Sequence, residues 1–312
     1  MRVVFMGSPE FAVPSLEHLV LSGYDVAAVC TQPDRPAGRG RAVVAPPVKE
    51  VALRWGLPVF QPDSLRSAGV VAQLAAFKPE VIVVCAFGQI LPQSVLDIPP
   101  YQCVNVHFSL LPRYRGAAPV AAAILAGDEF TGVSIQLVRK KLDAGPVLAV
   151  AAIPISPRDN TGTLTGKLSV VGAYLLLEAL SGWRRGEINP RPQNEGEATY
   201  FGQINKEAGE IDWHLPAVAI WRRVRAFYPW PGCYTTWRGK RLKILEAAVL
   251  PDEGVPRAGW VTALPGHEEG LGIGTGEGIL SVLRVQMEGK KAMSTAEFLR
   301  GQRDFIGVAL PS

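Results

Sequence analysis

With 312 residues, 48% hydrophobic and 19% charged, the chain has the length for two domains and the composition of a globular protein able to bury a core. A net charge of +4 is too small for the total to argue for or against nucleic acid, so the placement of charge has to decide. The four cysteines, Cys30, Cys85, Cys103 and Cys233, form no Cys-x-x-Cys pair. This argues against a zinc site or a disulfide framework and for small buried hydrophobes in a reducing compartment.

The first apolar run, residues 2–6, ends in Gly7-Ser8-Pro9 and is too short for a signal peptide. No later apolar stretch is expected to reach the length of a bilayer span, and the expected location is the cytoplasm. Residues 2–6, 25–30, 81–85 and 103–106 read as strands. Residues 48–55 and 70–77 read as helices between them, and Leu16, Leu19 and Val20 mark a further helical face. Apolar strands alternating with amphipathic helices predict an α/β, Rossmann-like, mostly parallel sheet covered on both faces. A long helix over 161–180, with Thr161 as its cap, closes this half. Residues 182–203 are rich in Gly, Pro, Arg, Asn and Glu without periodicity, the composition of a linker. A helix over 216–227 follows. Short β segments then recur at 233–237, 242–248, 259–263, 270–274 and 279–285, suggesting a small OB-like β-barrel. The expected organisation is a catalytic domain over 1–189, a linker over 190–205 and a barrel over 206–312.

An α/β sheet invites a nucleotide-binding reading, which the glycines do not support. Only Gly7 follows the first strand, where a dinucleotide site needs Gly-x-Gly-x-x-Gly. The glycine-rich run at 272–278 lies between β segments and reads as a hairpin turn. The run at 162–168 is one residue short of a P-loop and has no Ser or Thr after Lys167. Neither an oxidoreductase nor an NTPase keeps its main support.

Chemistry is concentrated in Asn105-Val106-His107. Asn105 and His107 alternate along a strand, so their side chains leave one face, and the strand breaks at 109–112, its carboxyl end. Open α/β sheets bind ligands at that end. An amide donor beside an imidazole can hold a carbonyl oxygen that becomes an oxyanion. Asp143, in a turn between two β-like runs, could orient His107 or favour its charged form; alone, an Asp before a glycine is ordinary turn chemistry. Positive charge gathers in two places. Arg35, Arg39, Arg41 and Lys49 lie in a Gly/Pro-rich loop with no acid between the first and the last. In the second half Lys206, Arg222, Arg223, Arg225, Arg238, Lys240, Arg241 and Lys243 face only Glu207, Glu210 and Asp212. Trp213, Trp221, Trp230 and Trp237 interleave with them. Val218, Trp221 and Val224 share a helical face that should be core, leaving the arginines opposite for phosphates.

The segments Asn105-x-His107, Ser-Leu-Leu-Pro-Arg-Tyr-Arg-Gly-Ala-Ala-Pro at 109–119 and Leu-Asp-Ala-Gly-Pro at 142–146 resemble the signature of the 10-formyltetrahydrofolate-dependent formyltransferases. Stretches at 32–41, 211–213, 225–232 and 289–293 resemble the branch whose acceptor is the amino group of methionyl-tRNA. The likeness runs through nearly the whole chain. It implies 10-formyltetrahydrofolate as co-substrate, no metal, and direct transfer without a covalent enzyme intermediate, in the service of translation initiation. It also implies roles. Asn105 and His107 would hold the formyl oxygen, with Asp143 supporting the histidine. Phe87, Gly88, Gln89, Ile90 and Leu91, with Ser109, Leu110, Leu111 and Pro112, would line the folate pocket. Arg35, Arg39 and Arg41 would enter the acceptor stem, and Lys206, Arg222 and Arg223 would meet the inside of the tRNA. The expected protein is a monomer. A formyltransferase acting on a sugar nucleotide or on glycinamide ribonucleotide would keep Asn105, His107 and Asp143 but would not need the basic loop or the second domain. Two positions depart from the family pattern. Phe108 stands where a small residue is usual and is expected to narrow the pocket mouth. Arg139-Lys140-Lys141 replaces an acid and a glycine and makes its loop unusually basic.

Overall fold

The structure, a computed structural model, describes residues 1–37, 42–250, 257–264 and 270–311. Its contacts divide the chain into two compact units. The first comprises Met1–Pro119, Phe130–Pro154 and Thr165–Phe201, and the second Val120–Glu129, Ile155–Leu164 and Gly202–Ser312.

The strands of the first unit are β1 (Arg2–Gly7), β2 (Asp25–Cys30), β3 (Arg35–Ala37), β4 (Ala42–Val44), β5 (Val59–Phe60), β6 (Val81–Cys85), β7 (Cys103–His107), β8 (Arg115–Gly116), β9 (Phe130–Leu137), β10 (Val147–Pro154) and β11 (Tyr200–Phe201). The main sheet has seven strands in the order β10-β9-β7-β6-β1-β2-β5. From β5 to β7 the ladders are parallel, and β9 and β10 add antiparallel pairs at one edge. Val3 to Met6 and Val81 to Val83 are completely buried, as a parallel sheet covered on both faces requires. Helices α1 (Val13–Leu21), α2 (Pro47–Arg54), α3 (Ala68–Ala76) and α4 (Gln93–Leu96) lie between these strands in sequence. Helices α5 (Pro119–Ala126) and α6 (Thr161–Arg184) follow β8 and β10. A Cβ at Gly7 would lie 2.8 Å from the Cys85 carbonyl oxygen, so this glycine serves close packing.

Helix α6 begins at the expected position and extends to Arg184. Its cap is Asn160, whose Oδ1 accepts the Thr163 N–H at 3.0 Å, while the Thr161 hydroxyl donates to the Ala226 carbonyl. At 24 residues it is, by length and composition, apolar enough to cross a bilayer, which the sequence reading did not anticipate. Leu164, Leu168, Ala173, Leu176 and Leu180 on it are completely buried within the protein. Gly172 lets it approach β7 and β9, because a Cβ there would meet Val106, Phe108 and Val133.

Two local readings change. The basic loop contains an antiparallel pair, β3 with β4, in the register Arg35↔Val44. The segment expected to be a linker is held to the first unit as far as Phe201. Arg191 bridges Val147 and β11 pairs in parallel with β8. Its polar composition reflects side chains that bond to other parts of the sheet unit, which a linker composition does not distinguish.

The second unit carries α7 (Ala217–Ala226), β12 (Cys233–Trp237), β13 (Lys240–Leu250), β14 (Val261–Ala263), β15 (Leu271–Gly274), β16 (Ile279–Met287), β17 (Met293–Ser294) and α8 (Thr295–Gly301). They form an antiparallel sheet in the order β12-β13-β16-β15-β14, with β17 also on β16. Among the described residues no ladder joins β12 to β14, so the expected barrel is a half-barrel. The glycine-rich run is the β15–β16 turn. Trp237, Phe298 and Phe305 pack edge to face with centroids 4.8–5.8 Å apart. Of the expected core face of α7, Val224 is buried, Trp221 is half-buried and Val218 is exposed; Ala217 and Ile220 complete the buried stripe.

Candidate active site

Strand β7 lies where the sheet changes from parallel to antiparallel, between β6 and β9. Asn105 and His107 leave the same face, opposite Gln136 and Ser134 of β9. Asn105 is half-buried, and among the described residues its side-chain amide has no hydrogen-bond partner. His107 is buried, with Nε2 3.0 Å from the Tyr114 carbonyl oxygen and Nδ1 3.8 Å from Asp143 Oδ2. A carbonyl only accepts, so Nε2 carries a proton. A second proton on Nδ1 would face the Asp143 side chain.

Asp143 sits in the β9–β10 connection with φ of 48°, left-handed for a non-glycine residue. Its Oδ2 accepts the Gly116 N–H and its Oδ1 accepts Gln136 Nε2, each at 2.9 Å. Both oxygens therefore act as acceptors. The structure brings His107 and Asp143 together from positions 36 apart and sets Asn105 beside them on β7.

The expected folate-pocket residues fall into two groups. Phe87 and Leu91 point into the core, and the Gln89 side chain is bonded to Leu65 N and the Pro62 carbonyl. Gly88, at φ 87°, and Ile90, 74% exposed, remain on the surface. With Gln89 they border an open cavity of about 330 Å³ that Gln32, Arg35 and Asp63 to Arg66 complete. Ser109 is buried and its hydroxyl donates to the Arg113 carbonyl at 2.6 Å. Leu110, Leu111 and Pro112 are half-buried, and Leu111 N–H donates to Ser134 Oγ.

Both departures from the family pattern have a place. Phe108 does not reach a pocket mouth: its ring is buried against Phe11, with centroids 5.6 Å apart, in the layer that Gly172 opens. Alternation along the chain sends it to the face opposite His107. In the basic run, Arg139 Nη1 donates to Gln102 Oε1, and Lys141 Nζ lies 2.6 Å from Glu195 Oε2.

The basic residues separate similarly. Arg39 and Arg41 lie outside the described residues. Arg35 is exposed and bonded to Gln32, and Lys49 is paired with Asp34 at 2.6 Å. Lys206 is exposed. Arg222 packs its guanidinium over Gly127, and Arg223 lies over the Phe227 ring. Arg225, grouped above with cations available to phosphate, instead donates to the carbonyls of Asp159 and Ser156 and stacks on Trp221. Trp213 and Trp237 are core, whereas Trp230 is 59% exposed.

Gln136, Gln193, Arg115, Glu195 and the Tyr114 carbonyl surround the candidate residues; Tyr114 and Arg115 lie in the 109–119 signature but none of the five was given a role from sequence. Their partners stand up to 85 positions away, and no local spacing signals that.

Comparison with known proteins accounts for both units. Residues 1–180 match the family model described as formyl transferase, and 203–303 the formyl transferase C-terminal domain. A methionyl-tRNA formyltransferase of Dehalococcoides mccartyi is 51% identical over 99% of this chain and 98% of its own. One from Roseiflexus sp. is 49% identical over 97% and 93%. HypX from Aquifex aeolicus, solved with tetrahydrofolic acid, shares the fold with a TM-score of 0.65 and 20% identity. That match covers 97% of this chain and 47% of HypX, so the chain spans about half of that protein. The chain belongs to the methionyl-tRNA formyltransferase family.

Proposed function

We propose that this chain transfers the formyl group of 10-formyltetrahydrofolate to the α-amino group of methionyl-tRNA, with Asn105, His107 and Asp143 at the reacting centre. The observation that carries the assignment is the half-buried Asn105 amide, which has no hydrogen-bond partner among the described residues, one strand repeat from a histidine held between Tyr114 and Asp143. An unclaimed donor at the carboxyl end of a central strand fits an oxygen acceptor brought by a ligand. The surroundings fit a flat heterocycle: Ile90, Leu110 and Leu111 offer apolar surface, and Gly88 leaves backbone accessible.

The co-substrate supplies the activated formyl group. An α-amino group titrates near about 7.7–8.0 in a free peptide, and esterification to tRNA lowers that value. Much of the nucleophile is therefore neutral near pH 7. The protein's task is to align two substrates and to meet the negative charge that develops on the formyl oxygen. Asn105 donates to that oxygen. His107, holding a proton on Nε2, supplies the second donor when it exchanges the Tyr114 carbonyl for substrate; hydrogen bonds at such centres tighten only as the complex forms. Asp143 sets the ring.

For the acceptor, the basic loop with Arg35, Arg39 and Arg41 meets the acceptor stem, and Lys206, Arg222 and Arg223 lie toward the inside of the tRNA. The protein acts as a cytoplasmic monomer. At saturating folate and charged initiator tRNA, His107→Ala and Asn105→Ala should each lower turnover roughly 10²–10³-fold, the cost of one oxyanion donor. Both substrates should still bind. Near wild-type turnover of His107→Ala would overturn the site. Transfer to an amino-sugar nucleotide but not to methionyl-tRNA would overturn the acceptor.

A further inference from the structure

Asp143 occupies a left-handed backbone conformation in a connection that no ladder holds, so something else must fix it. One side chain does so from the far end of the unit's sequence. Gln193 Nε2 donates to the Asp143 carbonyl at 2.8 Å and to the Gly145 carbonyl at 2.7 Å, with a longer approach to Gln136 Oε1 at 3.3 Å. Its Oε1 accepts from Arg115 Nε and Nη2 at 3.1 and 2.9 Å. The amide orientation is dictated, because guanidinium only donates and carbonyls only accept. Gln136, in turn, donates to Asp143 Oδ1.

Arg115 is itself over-determined. Its side chain is completely buried, forks onto Glu195 at 2.9 and 3.1 Å and donates to the Tyr200 hydroxyl at 2.8 Å. The same strap, residues 191–201, holds the backbone on which the candidate pair rests. Tyr114 N–H donates to Thr199 Oγ1, and Arg115 N–H to the Thr199 carbonyl, both at 2.8 Å. Tyr114 provides the carbonyl for His107, and Gly116 the N–H for Asp143. One strap thus clamps both sides of the His107–Asp143 contact.

We infer that Gln193 is a positioning residue for formyl transfer, holding the Asp143 turn so that its carboxyl faces His107, with the Arg115–Glu195 pair orienting the Gln193 amide. The inference rests on the reading of Asn105, His107 and Asp143 as the reacting set. Gln193 acts through the Asp143–Gly145 turn and has no chemical role of its own in the transfer. A misplacement of about 1 Å remote from the chemistry costs on the order of 10²-fold. Gln193→Ala is therefore expected to lower kcat roughly 10–100-fold while both KM values change by less than about two-fold.

The test compares kcat and both KM values of the full chain for Gln193→Ala, Gln193→Glu, Asp143→Ala and the double variant Gln193→Ala/Asp143→Ala. Gln193→Glu keeps an acceptor for Arg115 and removes the donor to Asp143 and Gly145. It should lose turnover as Gln193→Ala does, and it serves if the alanine variant does not fold. In the Asp143→Ala background the Gln193 substitution should have little further effect. Wild-type kcat in Gln193→Glu, or fully additive losses in the double variant, would overturn the inference, since Gln193 would then serve only the packing of Arg115. His107→Ala in the same series separates the two levels. If it keeps turnover, the reacting set is wrong; if it loses turnover while the Gln193 variants do not, only the positioning role fails.

Discussion

Several residues have a meaning that only their partners reveal. Glu195 looks like a surface acid in a polar stretch. Hydrogen bonds from Arg115 and then Lys141 hold its carboxyl at about 2, below an ordinary value near 4.5. A depressed carboxyl contributes stability that is fully present above the ordinary value and lost as pH falls toward the folded one. Glu195→Gln should therefore melt below wild type at pH 7, and the gap should close as pH drops from about 4.5 to about 2. Thermal melts across that range check this; a constant gap would mean that Glu195 contributes by shape alone. Lys141, a departure from the family pattern, so acquires a partner. The four cysteines behave as their apolar surroundings suggest, with burial pushing each thiol up to about 12.

At the scale of elements, the basic loop carries Arg35 at the start of its β3–β4 pair and, outside the described residues, Arg39 and Arg41. If it meets the acceptor stem, Arg39→Ala with Arg41→Ala should weaken methionyl-tRNA binding strongly and folate binding hardly at all. Each lost phosphate contact should also lower the log–log salt slope by about one. Equilibrium binding at several salt concentrations measures both, and an unchanged slope would remove the loop from the tRNA contact. The β3–β4 pairing was not legible because Gly and Pro hide short pairing, and on α7 Val224 was legible as core while Ala217 and Ile220 were not. The central strands and α6 were legible, because long apolar runs and long amphipathic periods leave few alternatives.

At the scale of the whole molecule, the last of the chain's passages between the two units falls at Phe201–Gly202, in the polar stretch after α6. Hydrogen bonds tie residues 191–201 into the first unit, whereas Gly202 to Lys206 are largely exposed and belong to no helix or strand. Brief digestion of the native protein with a glutamate-specific protease should cut after Glu207 in preference to Glu195 or Glu197, and mass spectrometry of the fragments reads this directly. Cleavage first at Glu195 or Glu197 would mean that the strap is not held. Sequence alone determined the alternation of strands and helices, the half-barrel segments and the Asn105–His107 pair. These follow from periodicity and from motifs a few residues long, which local chemistry dictates. The tertiary structure decided that Asp143 meets His107, that Arg225 is bonded to Ser156 and Asp159, and that Gln193 bonds to the Asp143 and Gly145 carbonyls and to Arg115. Those contacts join residues far apart in the chain, and their geometry exists only once the sheet has brought the loops together.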